Sequence, residues 1–224
     1  MVIQHMKRSL YLAIILLACL GLVNSALVVH AAPAQQAAPP PSATTVSLLP
    51  VNGPGFVRLV AYVLRTELAC EDGGCAVRVR QSYRLHNRDR AQEAHLRLTL
   101  PVSGQALAQA PALTDARGTA IVPASQTDSG DPIWELTLGR NEQRELVLSY
   151  THALDALPFV RWAADLPSLA PWGGVDGARI EFGLPHYLPE NAFMHVEPSN
   201  YLPEAASLMW EYEQPPDLPP IQVW

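Results

Sequence analysis

The sequence predicts an all-β protein: an antiparallel β-sandwich of the immunoglobulin-like, Greek-key type, set behind an apolar N-terminal segment and a Pro/Ala-rich tether. Three observations carry this expectation. The periodic segments of the body alternate apolar and polar residues with period two, the pattern of half-buried strands. Proline is abundant, 21 of 224 residues, which disfavours long helices. Turn signals built on Gly, Asn and Asp separate the apolar runs at short intervals. The 49% apolar content is enough for a packed core and excludes wholesale disorder.

The N-terminus reads as a targeting segment. Lys7 and Arg8 precede an apolar run from Leu10 to Val23, then Asn24, Ser25 and a second short run to Val29. Val29-His30-Ala31 fits a small-x-small cleavage pattern, so residues 1–31 read as a secretory signal peptide. Leu10 to Val29 is also long enough to span a bilayer as one helix, so a retained anchor is the competing reading. Both readings keep the basic end inside and put the body outside the cytoplasm, secreted or membrane-anchored. Leu16-Leu17-Ala18-Cys19 resembles a lipobox, but apolar Leu20-Gly21-Leu22-Val23 follows instead of a polar tether. Residues 32–50 are uncharged and rich in Pro, Ala and Gln, which reads as a disordered linker. Residues 51–224 are assigned to the sandwich, ordered from about Phe56, with a subdivision near 151–158 left open.

Within the body, Val57 to Cys70 is rich in Val, Leu, Tyr and Ala, and Glu71-Asp72-Gly73-Gly74 is a strong turn. From Cys75 to His86 the chain alternates: Cys75, Val77, Val79, Tyr83 and Leu85 on one face, with Gln81 the exception. Arg78, Arg80 and Arg84 share the other face, so the two segments read as a hairpin. Ala94, Leu96, Leu98 and Leu100 form the next strand, ended by Pro101. A loop-rich stretch leads to Ala120-Ile121-Val122. Trp134, Leu136 and Leu138 then alternate, Gly139-Arg140-Asn141-Glu142 turns the chain, and Leu146, Leu148 and Tyr150 complete a second expected hairpin. Ala178 to Pro185 loosely echoes His95 to Pro101, and Leu208 to Tyr212 echoes Ile133 to Leu136. Ordinary strand grammar in one large sandwich is preferred to a repeat.

The run Tyr83-Arg84-Leu85-His86-Asn87, then Leu96-x-Leu98-x-Leu100-Pro101, Trp134-x-Leu136-x-Leu138 and Leu146-x-Leu148-x-Tyr150 resembles uncharacterised secreted bacterial β-sandwich families. More distantly it is similar to the vault/inter-alpha-trypsin type of sandwich. Trp162, Trp172, Leu184-Pro185, Pro198 and Trp210 look like the second half of such proteins. These are packing motifs, and the resemblance carries no catalytic residue across.

The chemistry is defined as much by what is missing. Lys7 is the only lysine, so the body can form neither a lysine Schiff base nor a phosphate-binding lysine site. Beyond residue 31 the formal charge is −8, the wrong sign for nucleic-acid backbones. No G-x-S-x-G, H-E-x-x-H, EF-hand or G-x-G-x-x-G motif is present. No catalytic residue, metal or cofactor is therefore expected. His186, Glu190 and His195 lie close in sequence but match no ligand spacing, and surface histidines are the preferred reading.

Three groups of residues remain as candidates. Cys70 and Cys75 flank a hairpin turn, so they can face each other as a disulfide in an oxidising compartment. Trp162, Trp172, Tyr187 and Tyr201 lie among prolines and glycines and form a candidate ligand platform, with core packing the preferred alternative. Arg78, Arg80 and Arg84 form a face that needs neighbouring acids, Glu135 or Glu145, or an anionic partner. Residues 57–100 carry +3 and residues 101–224 carry −11, which suits two halves that complement each other across a sheet. The expected function is a non-catalytic interaction or structural domain outside the cytoplasm, an accessory part of an envelope assembly. It would meet a protein or glycan partner, and the membrane through residues 1–31 if these are kept. The alternatives are a carbohydrate-binding module and a hydrolase with an unrecognised site.

Overall fold

The computed structural model describes residues 43–52, 55–71, 74–102, 105, 107–154, 162–184, 195–204, 207–213 and 219–223. The chain divides into two compact units, Met1–Pro39 and Pro40–Trp224. The first unit, which holds the expected signal and much of the expected linker, lies outside the described residues. Among the described residues no helix is long and apolar enough to cross a membrane.

The described part of the second unit is almost entirely strand. In chain order it begins with β1 (Ala43–Thr45), β2 (Leu49–Asn52), β3 (Val57–Glu71), β4 (Gly74–Asn87), β5 (Ala94–Thr99) and β6 (Leu107–Asp115). Next come β7 (Ala120–Ile121), β8 (Ser125–Gln126), β9 (Pro132–Leu138), β10 (Gln143–Leu154) and β11 (Trp162–Ala164). A single turn-like 3-10 helix spans Leu166–Trp172, and β12 (Gly177–Gly183), β13 (Val196–Glu197), β14 (Leu202–Glu204), β15 (Ser207–Glu213) and β16 (Ile221–Val223) close the chain. The expected β-rich body is therefore present.

Among the described residues these strands form three sheets. The largest has eight strands in the order β14-β15-β12-β3-β4-β10-β6-β7. The other two have four each, β1-β11-β16-β13 and β2-β5-β9-β8. Strand alternation gives the large sheet one apolar face, with Tyr62, Leu64, Val77, Val79, Tyr83, Leu85, Leu146 and Leu148. That face shares one core with Leu96, Leu98 and Trp134 of one small sheet and Trp162, Ile221 and Val223 of the other. Trp134, Trp210 and Tyr150 are buried, as their inward strand positions predict.

Several expectations need correction. Residues 43–50 are not a disordered linker: β1 pairs with β11 and β2 with β5. Averaging composition over 32–50 hid the change at Thr44-Thr45-Val46, where β-branched residues replace Pro and Ala. Between β1 and β2 the backbone crosses the inner face of the large sheet and is held by its side chains. The Tyr150 hydroxyl accepts from Val46 N at 2.9 Å and the Tyr83 hydroxyl from Leu48 N at 2.8 Å. Gln81 Nε2 donates to the Val46 carbonyl at 2.7 Å, and Trp172 Nε1 to the Leu48 carbonyl at 2.9 Å. The Tyr83 hydroxyl in turn donates to Gln81 Oε1. Gln81, the one break in the alternation of β4, faces inward because this crossing strand supplies its partners.

The expected hairpin after Trp134 does not form. The turn at Gly139–Glu142 carries the chain from one sheet to another, since β9 pairs with β5 and β10 with β4. Asn87 pins that corner: its side-chain amide donates to the Gln92 and Gly139 carbonyls at 2.9 and 2.8 Å. Pairing is not purely antiparallel either, because β12 runs parallel to β3, and β1 to β11. The sequence echoes also part company, with β5 and β12 in different sheets. The stretch read as loop after Pro101 contains β6, nine residues whose Gln, Ala and Pro content masks a strand.

Candidate ligand groove

The outward face of the large sheet carries the candidate site. Register sets its residues in transverse rows, because partners in adjacent strands share a face. One row runs Glu181 (β12), Arg65 (β3), Arg80 (β4), Ser149 (β10) and Ala112 (β6). The next runs Gly183, Glu67, Arg78, Thr151 and Gln109 on the same five strands. Together with Ala110 and Leu184 these two rows line a groove of about 650 Å³. A smaller hollow of about 210 Å³ adjoins it, lined by Val63, Arg65, Arg80, Ser82 and Glu145. Arg65 and Arg80 border both. Between Ser149 and Thr151 the β10–β6 register shifts, a bulge that bends the sheet at the groove wall.

The electrostatics differ between the rows. Arg78 faces Glu67 directly, with 3.9 Å between charged atoms. Arg65 reaches Glu181 at 3.2 Å. Arg80 faces Arg65 across the strand pair, like charge against like, and among the described residues it has no carboxylate within ion-pair distance. Thr151 Oγ1 donates to Gln109 Oε1 at 3.2 Å, and the amide nitrogen of Gln109, which also lines the groove, remains a donor.

The predicted arginine face is thus divided. Arg84 pairs with Glu145 at 4.0 Å and borders neither hollow, so Glu145 is a partner as expected. Glu135 is not: it pairs with Arg97 at 3.3 Å in a different sheet. Four ion pairs, Arg65–Glu181, Arg84–Glu145, Arg88–Asp176 and Arg97–Glu135, join the basic stretch to the acidic one. Sequence reasoning missed Arg65, Glu67, Gln109 and Glu181. Alternation in the Val57–Cys70 run was the available signal for Arg65 and Glu67. Nothing local announces that Arg65 and Glu181, on strands far apart in the sequence, become neighbours.

Of the candidate aromatic platform, Trp162 and Trp172 are core residues. Trp162 is 1% exposed and packs on Phe182 with ring centroids 4.8 Å apart. Trp172 is 5% exposed, sits against Tyr83 and spends its indole N–H on the Leu48 carbonyl. Tyr201 is half-buried against Trp210, at 5.9 Å. Tyr187 lies outside the described residues, as do His186 and Glu190. His195 Nε2 lies 2.7 Å from Glu197 Oε1. Among the described residues no group of side chains has metal-ligating geometry. Cys70 and Cys75 are register partners at the end of the β3–β4 hairpin, and the Cys70 side chain lies outside the described residues.

No protein-family model matches the chain, and no curated protein matches it. Solved structures do resemble it. A "putative nutrient binding protein" from Legionella pneumophila superposes with a TM-score of 0.61 at 11% identity, covering 80% of this chain and 69% of that one. Yeast LTA4 hydrolase bound to bestatin covers 75% of this chain and 29% of its own, at a TM-score of 0.38 and 11% identity, too distant to support an argument. The Legionella likeness is one of fold.

Proposed function

We propose that this chain is an exported, non-catalytic binding domain that holds a small ligand in the groove on the outer face of its large sheet. The β-rich architecture, with one core beneath three sheets, supports reading the body as a sandwich like those of secreted bacterial proteins. The single observation that carries the proposal is the groove, about 650 Å³ across five strands, within the size range of small-molecule sites. The description of the Legionella neighbour as a "putative nutrient binding protein" agrees with a binding role. The basic residues and apolar run of 1–31 support export. Binding outside the cytoplasm suits an accessory component that captures or presents a ligand for a larger envelope assembly.

A thermal-shift screen of small metabolites tests the reading. Wild-type protein is expected to give stabilising ligands whose effect disappears in Ala112→Trp, which fills the groove from an exposed wall position. Ligands unaffected by Ala112→Trp, or none at all, would overturn it. A reporter fused after residue 40 is expected to be active only outside the cytoplasm. Export also supports the proposed Cys70–Cys75 disulfide. The register sets the two residues opposite each other at the end of the hairpin.

A further inference from the structure

We infer that the groove binds a small monocarboxylate through the Arg80 guanidinium; this rests on the groove being a ligand site. Three observations lead there. In the central row two guanidiniums, Arg65 and Arg80, stand directly opposite each other, and one carboxylate, Glu181, serves Arg65. Like charges facing each other across a strand pair are unfavourable, so the row lacks one negative charge, and it lacks it at Arg80. Next, the wall beyond Arg80 offers neutral donors: the Ser149 hydroxyl, its partner in the same row, and the Gln109 amide nitrogen one row away. A guanidinium fork with flanking neutral donors matches the two oxygens of a carboxylate. Finally, Ala110, Ala112 and Leu184 give the groove an apolar lining for the rest of such a molecule.

The charge count selects a monoanion. The groove lining holds Arg65, Arg78 and Arg80 against Glu67 and Glu181, a net of one positive charge, and Glu145, in the adjoining hollow that Arg65 and Arg80 also border, is paired with Arg84. A phosphate dianion would bring a second charge toward Glu67 and Glu181, whose carboxylates are committed to Arg78 and Arg65. An amine would meet the uncompensated guanidinium. The sheet therefore keeps a local charge defect that folding does not need and that a carboxylate corrects.

Titrations of the exported protein with sodium hexanoate, inorganic phosphate and hexylamine, followed by amide chemical shifts, test the inference. Hexanoate is expected to saturate in the millimolar range, with shifts centred on Ser149, Thr151 and Gln109. Arg80→Gln is expected to weaken hexanoate by at least about tenfold, the effect of losing a charge-assisted bond. Arg97→Gln, in a different sheet, is expected to leave it unchanged. Arg80→Glu supplies Arg65 with a facing carboxylate, so it is expected to abolish hexanoate binding while the melting temperature holds or rises. A merely structural Arg80 would instead lower it. Equal hexanoate affinity in Arg80→Gln, or tighter binding of phosphate or hexylamine, would overturn the inference. Screening hits that are lost in Ala112→Trp and contain no carboxylate would sink this inference and leave the groove standing; the absence of any groove ligand would sink both.

Discussion

The two faces of β4 are built from alternate residues of the same fourteen, yet they treat polar groups in opposite ways. On the inner face, Gln81 and Tyr83 are fully buried and every bond is closed internally, through Val46, Leu48 and Tyr150. On the outer face, Arg78 and Arg84 have single long ion pairs, and Arg80 has none among the described residues. Burial makes the difference. An unmet polar group costs far more in the core than in water, so the buried polar groups of β4 are paired while the solvated face can leave a charge open. A charge left uncompensated on the outer face is therefore free to serve binding.

The largest test of this contrast is at Trp172. If it belongs to the inner face, Trp172→Ala is expected to cost about 3–5 kcal/mol in chemical denaturation. A loss below about 1 kcal/mol would return it to the surface as a ligand platform. Gln81→Leu keeps the volume but removes one of the two donors to Val46 O and the acceptor of the Tyr83 hydroxyl. It is expected to cost about 2–3 kcal/mol, against a near-neutral effect if the bonds were dispensable.

Alkaline pH probes the same network. Burial raises the hydroxyl pKa of Tyr62, Tyr83 and Tyr150 above the ordinary value near 10. A raised value means that the folded state keeps protons the unfolded chain would release. Their stabilisation is fully present below about pH 10 and falls as pH climbs beyond it. Unfolding is expected to coincide with a rise in tyrosinate absorbance. Early, smooth titration of all seven tyrosines in folded protein would break the argument.

Smaller effects belong to the rim and the outer face. Replacing both Cys70 and Cys75 by serine is expected to lower stability by at most ~2 kcal/mol, since the loop they close is short. Non-reduced mass spectrometry of exported protein should show no free thiols. Arg84→Gln breaks one exposed pair with Glu145 and is expected to change stability by less than about 0.5 kcal/mol. A larger loss would show that outer-face charges also support the fold.

Much of the site was legible because its cause is local. Period-two alternation fixed which residues of Cys75–His86 share a face, and so put Arg78 and Arg80 together on it. Turn chemistry at Glu71–Gly74 fixed the hairpin and the opposition of Cys70 to Cys75. The same local rules misplaced Trp162 and Trp172, because proline-rich surroundings signal a loop without saying what covers it. Trp172 is buried by the crossing of Val46–Leu48, more than a hundred residues earlier.

The sequence alone determined the strand content, the long β3–β4 hairpin, the inward aromatic residues of β9, β10 and β15, and the arginine face. Each depends on neighbours within a few residues, where pleat and turn geometry act. Only the tertiary structure decided that β12 lies parallel to β3, that β9 and β10 part into different sheets, and that residues 43–52 tie the two small sheets across the core. It alone decided that Glu181 reaches Arg65 and leaves Arg80 without a carboxylate. Those outcomes depend on which distant strands become adjacent, a choice made by competition for one shared apolar core rather than by any local pattern.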